Sequence, residues 1–158
     1  MSSLTDLSDL LRPDAVQLNV SALGKKPLFV HVGGMLGRQM AVARAAVADA
    51  LSERERLGST GFGGGVAIPH AKLAGIHQVT CAFVRLAQPV DWQAVDGLPV
   101  DLVMALISPA QAGSDHLKAL ARVSRRLRDR GFLAKLRGAA SPDAAYALFS
   151  ADRTRDAA

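Results

Sequence analysis

The chain is poor in aromatic residues, which make up 4% of its 158 positions and include one Trp and one Tyr. It therefore offers few aromatic platforms for stacking bases or sugars, and its core has to be built from Ala, Val, Leu and Ile. A single cysteine, Cys81, excludes an internal disulfide. In mid-strand within a largely apolar run, Cys81 reads as a buried, inert thiol. The longest apolar stretch, Leu98 to Ile107, is interrupted by Asp101 and is too short to span a bilayer. The N-terminal MSSLTDLSDLLRPD has neither the basic start nor the apolar run of a signal peptide. These absences predict a cytoplasmic protein with no membrane insertion. The four histidines are scattered, with no His-x-x-x-His spacing and no Cys cluster, so the sequence points to no metal site and no cofactor.

What is present is ordinary globular material: 49% hydrophobic and 21% charged residues, enough for one domain over residues 1–158 with a core from about 5 to 150. Periodicity predicts a short helix from Ser3 to Leu11 closed by Arg12-Pro13, then a strand around Val16 to Val20. Leu28, Val32, Met35 and Leu36 share one helical face after Lys26-Pro27, although Gly33 and Gly34 weaken and loosen that helix. A further helix is expected from about Gln39 to Arg56, with Val42, Ala45, Ala46, Ala50 and Leu51 inward and Gly58 as its stop. Val66 to Ile68, Val79 to Leu86 and Val100 to Ile107 have strand character, and Pro89 to Leu98 is turn-rich. Ser114 to Leu127 reads as a helix with Leu117, Leu120, Val123 or Ser124, and Leu127 inward. Phe132 to Leu136 continues helical between Gly131 and Gly138. Ser141-Pro142 starts a last helix to Phe149, and the tail from Ala151 is expected to fray. The fold class is α/β, a mixed sheet covered by helices on both faces.

The chemistry concentrates between Gly58 and Lys72, where five glycines fall within eight residues, Gly58 to Gly65, and His70 follows a proline. Backbone N–H groups of such a loop can converge on an anion, and Ser59 and Thr60 add hydroxyls. No Gly-Lys-Ser/Thr follows, and the loop precedes a strand rather than a helix, so neither nucleotide fingerprint is present. Histidine supplies a nucleophile near neutral pH. The residues alone leave His70 open between a phosphoryl acceptor and a satisfied histidine in a tight turn.

The string from Arg54 to Lys72, RERLGSTGFGGGVAIPHAK, resembles the active-site segment of the IIA proteins of the phosphoenolpyruvate-dependent phosphotransferase system, fructose/mannitol type. The similarity extends through Pro99 to Pro109, Asp115 to Leu120 and Arg125 to Leu127, covering roughly residues 5 to 150, and is strongest to the nitrogen-regulatory branch. The resemblance implies that His70 is the phosphoryl acceptor, charged by an HPr-like phosphocarrier (NPr). It implies that Arg54 stabilises the phosphoryl group, that His116 supports it, and that Ser59, Thr60, Gly61, Gly63, Gly64 and Gly65 bind phosphate. Ala71 departs from the family pattern, in which glycine is frequent at that place.

The resemblance further implies a phosphotransferase-system component that carries phosphate stoichiometrically. Ending at residue 158, the chain is expected to stand alone and to regulate protein targets, such as potassium-transport regulators or sensor kinases, according to its phosphorylation state. Two alternatives remain: a IIA component passing phosphate to a separate sugar-transporter IIB, and a binding module that works without phosphorylation. His31 and His77 have no motif around them and read as surface or turn histidines. The net charge of +5 raises nucleic acid as a partner. However, the basic stretch from Arg122 to Arg137 alternates with leucines at helical spacing, so its arginines are read as a solvated outer face and nucleic acid is not expected.

Overall fold

The computed structural model describes residues 5–150. Among them lie six strands and five helices in the order β1 (Leu11–Val20), α1 (Lys25–Met40), α2 (Arg44–Arg56), β2 (Gly61–Gly63), β3 (Val66–Ala67), β4 (His70–Leu73), β5 (Thr80–Val90), β6 (Val100–Pro109), α3 (Ser114–Leu127), α4 (Arg130–Gly138) and α5 (Pro142–Ser150). The strands form one mixed sheet in the order β1-β5-β6-β3-β2, with β4 also paired to β6. β6 is the spine: antiparallel to β5, and parallel to both β3 and β4. Every residue of β6 from Leu102 to Ser108 is buried. Burial at successive positions of a strand requires cover on both faces. Packing of α1 on α2 supplies one cover, and the chain of contacts α3–α4–α5 supplies the other. The fold is the expected α/β one.

The N-terminal segment differs from expectation. Residues 5–10 form turns and not a helix; Leu7 is buried and its N–H donates to the Phe149 carbonyl at 3.0 Å. The first strand begins at Leu11 and runs through Pro13, which an edge strand tolerates because one side of its ladder is unpaired; its register to β5 is irregular between Leu11 and Val16. The expected fraying from Ala151 lies outside the described residues.

Gly33 and Gly34 do not loosen α1, which is continuous. A Cβ on Gly33 would stand 2.6 Å from the Arg44 carbonyl oxygen, and one on Gly37 would stand 2.8 Å from that of Val42. The glycines admit the start of α2 against α1, a close approach that any larger residue would block. The helix expected from Gln39 is divided: α1 ends at Met40, capped by Ala41 in a left-handed conformation with φ 58°, and α2 starts at Arg44. The buried face of α2 is Val47, Ala48 and Leu51, and Ala45 is exposed.

α3 is rotated about one residue from the expected stripe: Leu117 is 68% exposed, whereas His116, Ala119, Val123, Arg126 and Leu127 are buried. Gly131 lies inside the first turn of α4, where the Asp129 carboxylate accepts from the N–H groups of Gly131 and Phe132, so its low helix propensity matters little. At α5 the expected cap is present, the Ser141 hydroxyl oxygen accepting from the Ala144 N–H at 3.1 Å.

Most of the basic stretch is exposed as expected, and Arg126 and Arg122 depart from that. Arg126 is 5% exposed and stacks over Phe132 at 3.8 Å. Arg122 forms a two-pronged pair with the Asp9 carboxylate at 2.7 Å, and Arg137 does the same with Asp101. Arg125, Arg128, Arg130, Lys135 and Arg137 are the exposed members. His31 and His77 are exposed, His31 Nε2 lying 2.6 Å from Gln17 Oε1. Cys81 is buried in β5, and desolvation pushes its thiol up to about 12, which leaves it unreactive at neutral pH.

Candidate functional site

β4 begins at His70, where the chain leaves Pro69 and pairs with β6 opposite Leu106. The half-buried imidazole is held by its own backbone: Nδ1 lies 2.8 Å from the carbonyl oxygen of Ile68. A carbonyl can only accept, so Nδ1 carries the proton and donates it. In the neutral ring Nε2 is then the lone-pair nitrogen, and it has no hydrogen-bond partner among the described residues. Burial pushes the His70 pKa down from its usual 6.5, the Ile68 hydrogen bond acts against this, the charge of Arg54 lowers it further, and that of Glu55 raises it. The net lowering keeps the ring neutral and nucleophilic at physiological pH.

The third residue of α3, His116, faces this ring, with centroids 5.7 Å apart and planes tilted by 49°. Its Nδ1 lies 2.6 Å from the hydroxyl of Ser108, a wholly buried residue near the end of β6. Burial also lowers the His116 pKa, and the charges of His70 and Lys72 add to this. Lys72 is exposed, two residues beyond His70 on the same strand and therefore on the same face.

Arg54 sits in the last turn of α2 and curls back so that Nη1 donates to the Gly58 carbonyl at 3.0 Å. Two histidines that favour the neutral form, with two cations close enough to disfavour their protonation, make a site suited to an added anion.

The neighbouring segment is organised by Glu55. Its carboxylate accepts from the Thr60 N–H at 2.9 Å and the Thr60 hydroxyl at 2.6 Å, and it pairs with Lys25 at 2.9 Å. The Thr60 hydroxyl in turn accepts from the indole N–H of the buried Trp92 at 3.2 Å. The Ser59 hydroxyl donates to the Trp92 carbonyl at 2.9 Å and accepts from the Gly61 N–H at 3.2 Å. Both hydroxyl protons are therefore already donated within the protein, and neither remains for a phosphoryl oxygen.

The structure does not bring the glycine triplet to His70. The Gly65 carbonyl accepts from the N–H groups of Asp101 and Leu102, whereas His70 pairs opposite Leu106. Four to five strand residues separate these levels, about 15 Å at roughly 3.3 Å per residue. There the Gly64 N–H donates to Asp96 and the Gly64 carbonyl accepts from Arg137. A Cβ on Gly65 would lie 2.5 Å from Arg137 Nη2 and 2.8 Å from Asp101 Oδ1, so the glycines make room for this latch. Gly61 lies in β2, and a Cβ there would stand 2.9 Å from the Trp92 ring and from the Ala94 Cβ; it packs and does not open onto the site.

Of the residues anticipated, then, His70, Arg54 and His116 are at one place, while Ser59 and Thr60 brace the segment leading to it. Ser108, Lys72, Glu55 and the Ile68 carbonyl were not anticipated. Lys72 was accessible from strand periodicity, two residues after His70. Ser108 showed itself as a lone hydroxyl closing a seven-residue run of otherwise apolar residues, but nothing in the spacing paired it with His116. Among the described residues no group of three or more His, Cys, Asp or Glu side chains could hold a metal ion, and no helix is long and apolar enough to cross a membrane.

The mixed sheet covered by helices agrees with the family match. Residues 9–152 match the model of the phosphoenolpyruvate-dependent sugar phosphotransferase system, EIIA 2, and the chain belongs to that family. Relatives over most of its length include nitrogen regulatory proteins and, at 33% identity over 139 residues that are 87% of this chain and 22% of the relative, the fructose-specific EIIABC component of Bacillus subtilis. The nitrogen regulatory protein of Bradyrhizobium diazoefficiens is 39% identical over 144 residues, which are 91% of this chain and 94% of the relative. The crystal structure of nitrogen regulatory protein IIA-Ntr from Neisseria meningitidis superimposes with a TM-score of 0.85 at 35% identity, covering 90% of this chain and 98% of the other. A shorter similarity, 44% identity over 84 residues, covers 53% of this chain and 54% of the fructose-specific EIIA component of Haloferax volcanii.

Proposed function

We propose that this chain is a phosphoryl carrier of the nitrogen-regulatory type, taking a phosphoryl group onto Nε2 of His70 from an HPr-like phosphocarrier. The observation that carries the reading is the Nδ1–H of His70 donated to the Ile68 carbonyl, which leaves Nε2 as the nucleophile. As the Nε2 lone pair forms the N–P bond, the bond from phosphorus to the donor breaks in line, and no proton need move. Phosphoryl transfer asks of a protein mainly positioning and charge stabilisation. Arg54 and Lys72 supply fixed charge, and His116 stands over the ring. Turning out of its bond to Gly58, the Arg54 guanidinium can grip two phosphoryl oxygens with its forked donors.

A phosphoryl group of nearly two negative charges on the half-buried ring changes which protein surfaces fit there. That change, and the nitrogen regulatory proteins among the relatives, support a role in which the two states bind different regulatory partners. The shorter similarity to a fructose-specific EIIA component favours a second reading, delivery of the phosphate to a transporter IIB.

Intact-mass spectrometry at mildly alkaline pH tests the carrier step. The protein is incubated with phosphoenolpyruvate, enzyme I and the HPr-like carrier beside a His70→Ala variant. A gain of one phosphoryl group, lost again in acid, is expected on the wild type alone. No gain, with the donor shown to be charged, overturns the reading. Onward transfer to a purified fructose-type IIB would replace the regulatory reading by the transport one.

A further inference from the structure

The environment of His116 is more specific than a supporting role requires. Ser108 is 0% exposed, closing the apolar spine of β6. Its Oγ lies 2.6 Å from His116 Nδ1, and among the described residues no other hydrogen bond engages that hydroxyl. A hydroxyl has one proton to give and an imidazole nitrogen either gives or takes, so two arrangements are conceivable. If His116 donated from Nδ1, the serine proton would be buried with no acceptor, which buried polar groups avoid. The remaining arrangement has the serine donating to the Nδ1 lone pair. The proton of neutral His116 then sits on Nε2, the nitrogen on the far side of the ring from Ser108.

We propose that Ser108 is a positioning residue that holds His116 in the tautomer with its proton on Nε2, so that the ring presents an N–H donor toward the phosphoryl group on His70. This rests on the carrier reading above for its purpose, but not for the tautomer. The two histidines are then set oppositely by two different acceptor–donor contacts. The Ile68 carbonyl accepts a hydrogen bond from Nδ1–H of His70 and leaves its Nε2 lone pair to attack, while the Ser108 hydroxyl donates a hydrogen bond to the Nδ1 lone pair of His116 and leaves its Nε2–H to donate. With both rings neutral, one acts as nucleophile and the other as hydrogen-bond donor, without any proton crossing between them. Arg54 and Lys72 supply the charge that a neutral donor cannot.

Long-range 1H–15N spectra of the unphosphorylated protein, at a pH where both rings are neutral, read the tautomer directly. In the wild type, His116 is expected to show a lone-pair Nδ1 and a protonated Nε2, and His70 the reverse. A protonated Nδ1 on His116 would overturn the proposal. In Ser108→Ala, which removes one oxygen from a packed site, the Nδ1–H form of His116 is expected to become detectable. Transfer to His70 should slow by about five-fold, the effect of one neutral hydrogen bond. Ser108→Thr keeps the hydroxyl and should restore both. If Ser108→Ala folds with the wild-type tautomer and the wild-type transfer rate, Ser108 is structural only. If the tautomers are as expected but the wild type takes no phosphate from a charged donor, the Ser108 assignment stands and the carrier reading fails.

Discussion

The two ends of the segment from Ser59 to Lys72 are both rich in polar contacts, yet their charges do opposite things. At the histidine end, two neutral rings sit beside Arg54 and Lys72, whose positive charges have no carboxylate partner in an ion pair among the described residues. At the glycine end, about 15 Å along β6 by strand rise, Arg137 is bound by both oxygens of Asp101 and by the Gly64 carbonyl, and Asp96 takes the Gly64 N–H. The first end has spare positive charge and a free nitrogen; the second is electrically closed. Glycine crowding and hydroxyls mark the glycine end in the sequence and not the histidine end, but an anion site needs donors left over, and only the histidine end has them.

That contrast can be broken by substitution. His70→Ala should abolish phosphoryl acceptance altogether while shifting the urea midpoint little, as the ring is half-buried and makes one bond; residual acceptance on the variant would show another acceptor. Arg54→Gln should slow acceptance by about 10–100-fold with the fold intact, measured as a single-turnover rate from the charged donor. An unchanged rate would move Arg54 to the structural side of the comparison.

At the other end, Gly65→Ala places a Cβ into the Arg137–Asp101 pair at φ +80° and should cost about 2 kcal/mol of stability. The variant's folded fraction should still accept phosphate at the wild-type rate. If the rate falls while the fold holds, the glycine end contributes to the site after all.

The pH dependence separates the ends more gently. The folded pKa values of His70 and His116 lie below the usual 6.5, so below pH 6.5 the unfolded chain binds protons that the native state refuses. Their contribution to stability is therefore present above 6.5 and is lost as pH falls through the folded values. Denaturation midpoints between pH 7 and 5 should show a slope that His116→Ala reduces. Asp101→Asn should leave that slope alone and cost about 0.5–1 kcal/mol, as expected for a partly exposed pair.

How much was legible beforehand depended on the range of the interaction. His70, Arg54 and His116 stood out through a family resemblance, and strand periodicity was enough to place Val100–Ile107 inside β6. The face of α3 was misread because Leu117 fits the apolar stripe better than His116 does; the rotation that exposes Leu117 and buries His116 depends on where β4 and β6 place His70 and Ser108. Likewise Gly33 read as a weakness of α1, because nothing local shows that the Arg44 carbonyl passes beside it.

By itself the sequence determined the α/β class and the run of elements from β5 to the capped α5, since these depend on periodicity and on residues close together in the chain. Tertiary structure alone decided which donors are free. It engaged Ser59 and Thr60 with Trp92 and Glu55, shut Gly63–Gly65 into a latch with Arg137, and set Ser108 beneath His116. Hydrogen bonds are directional and each donor proton serves one partner well, so whether a polar residue can serve a ligand is known only once every partner it meets in the fold is known.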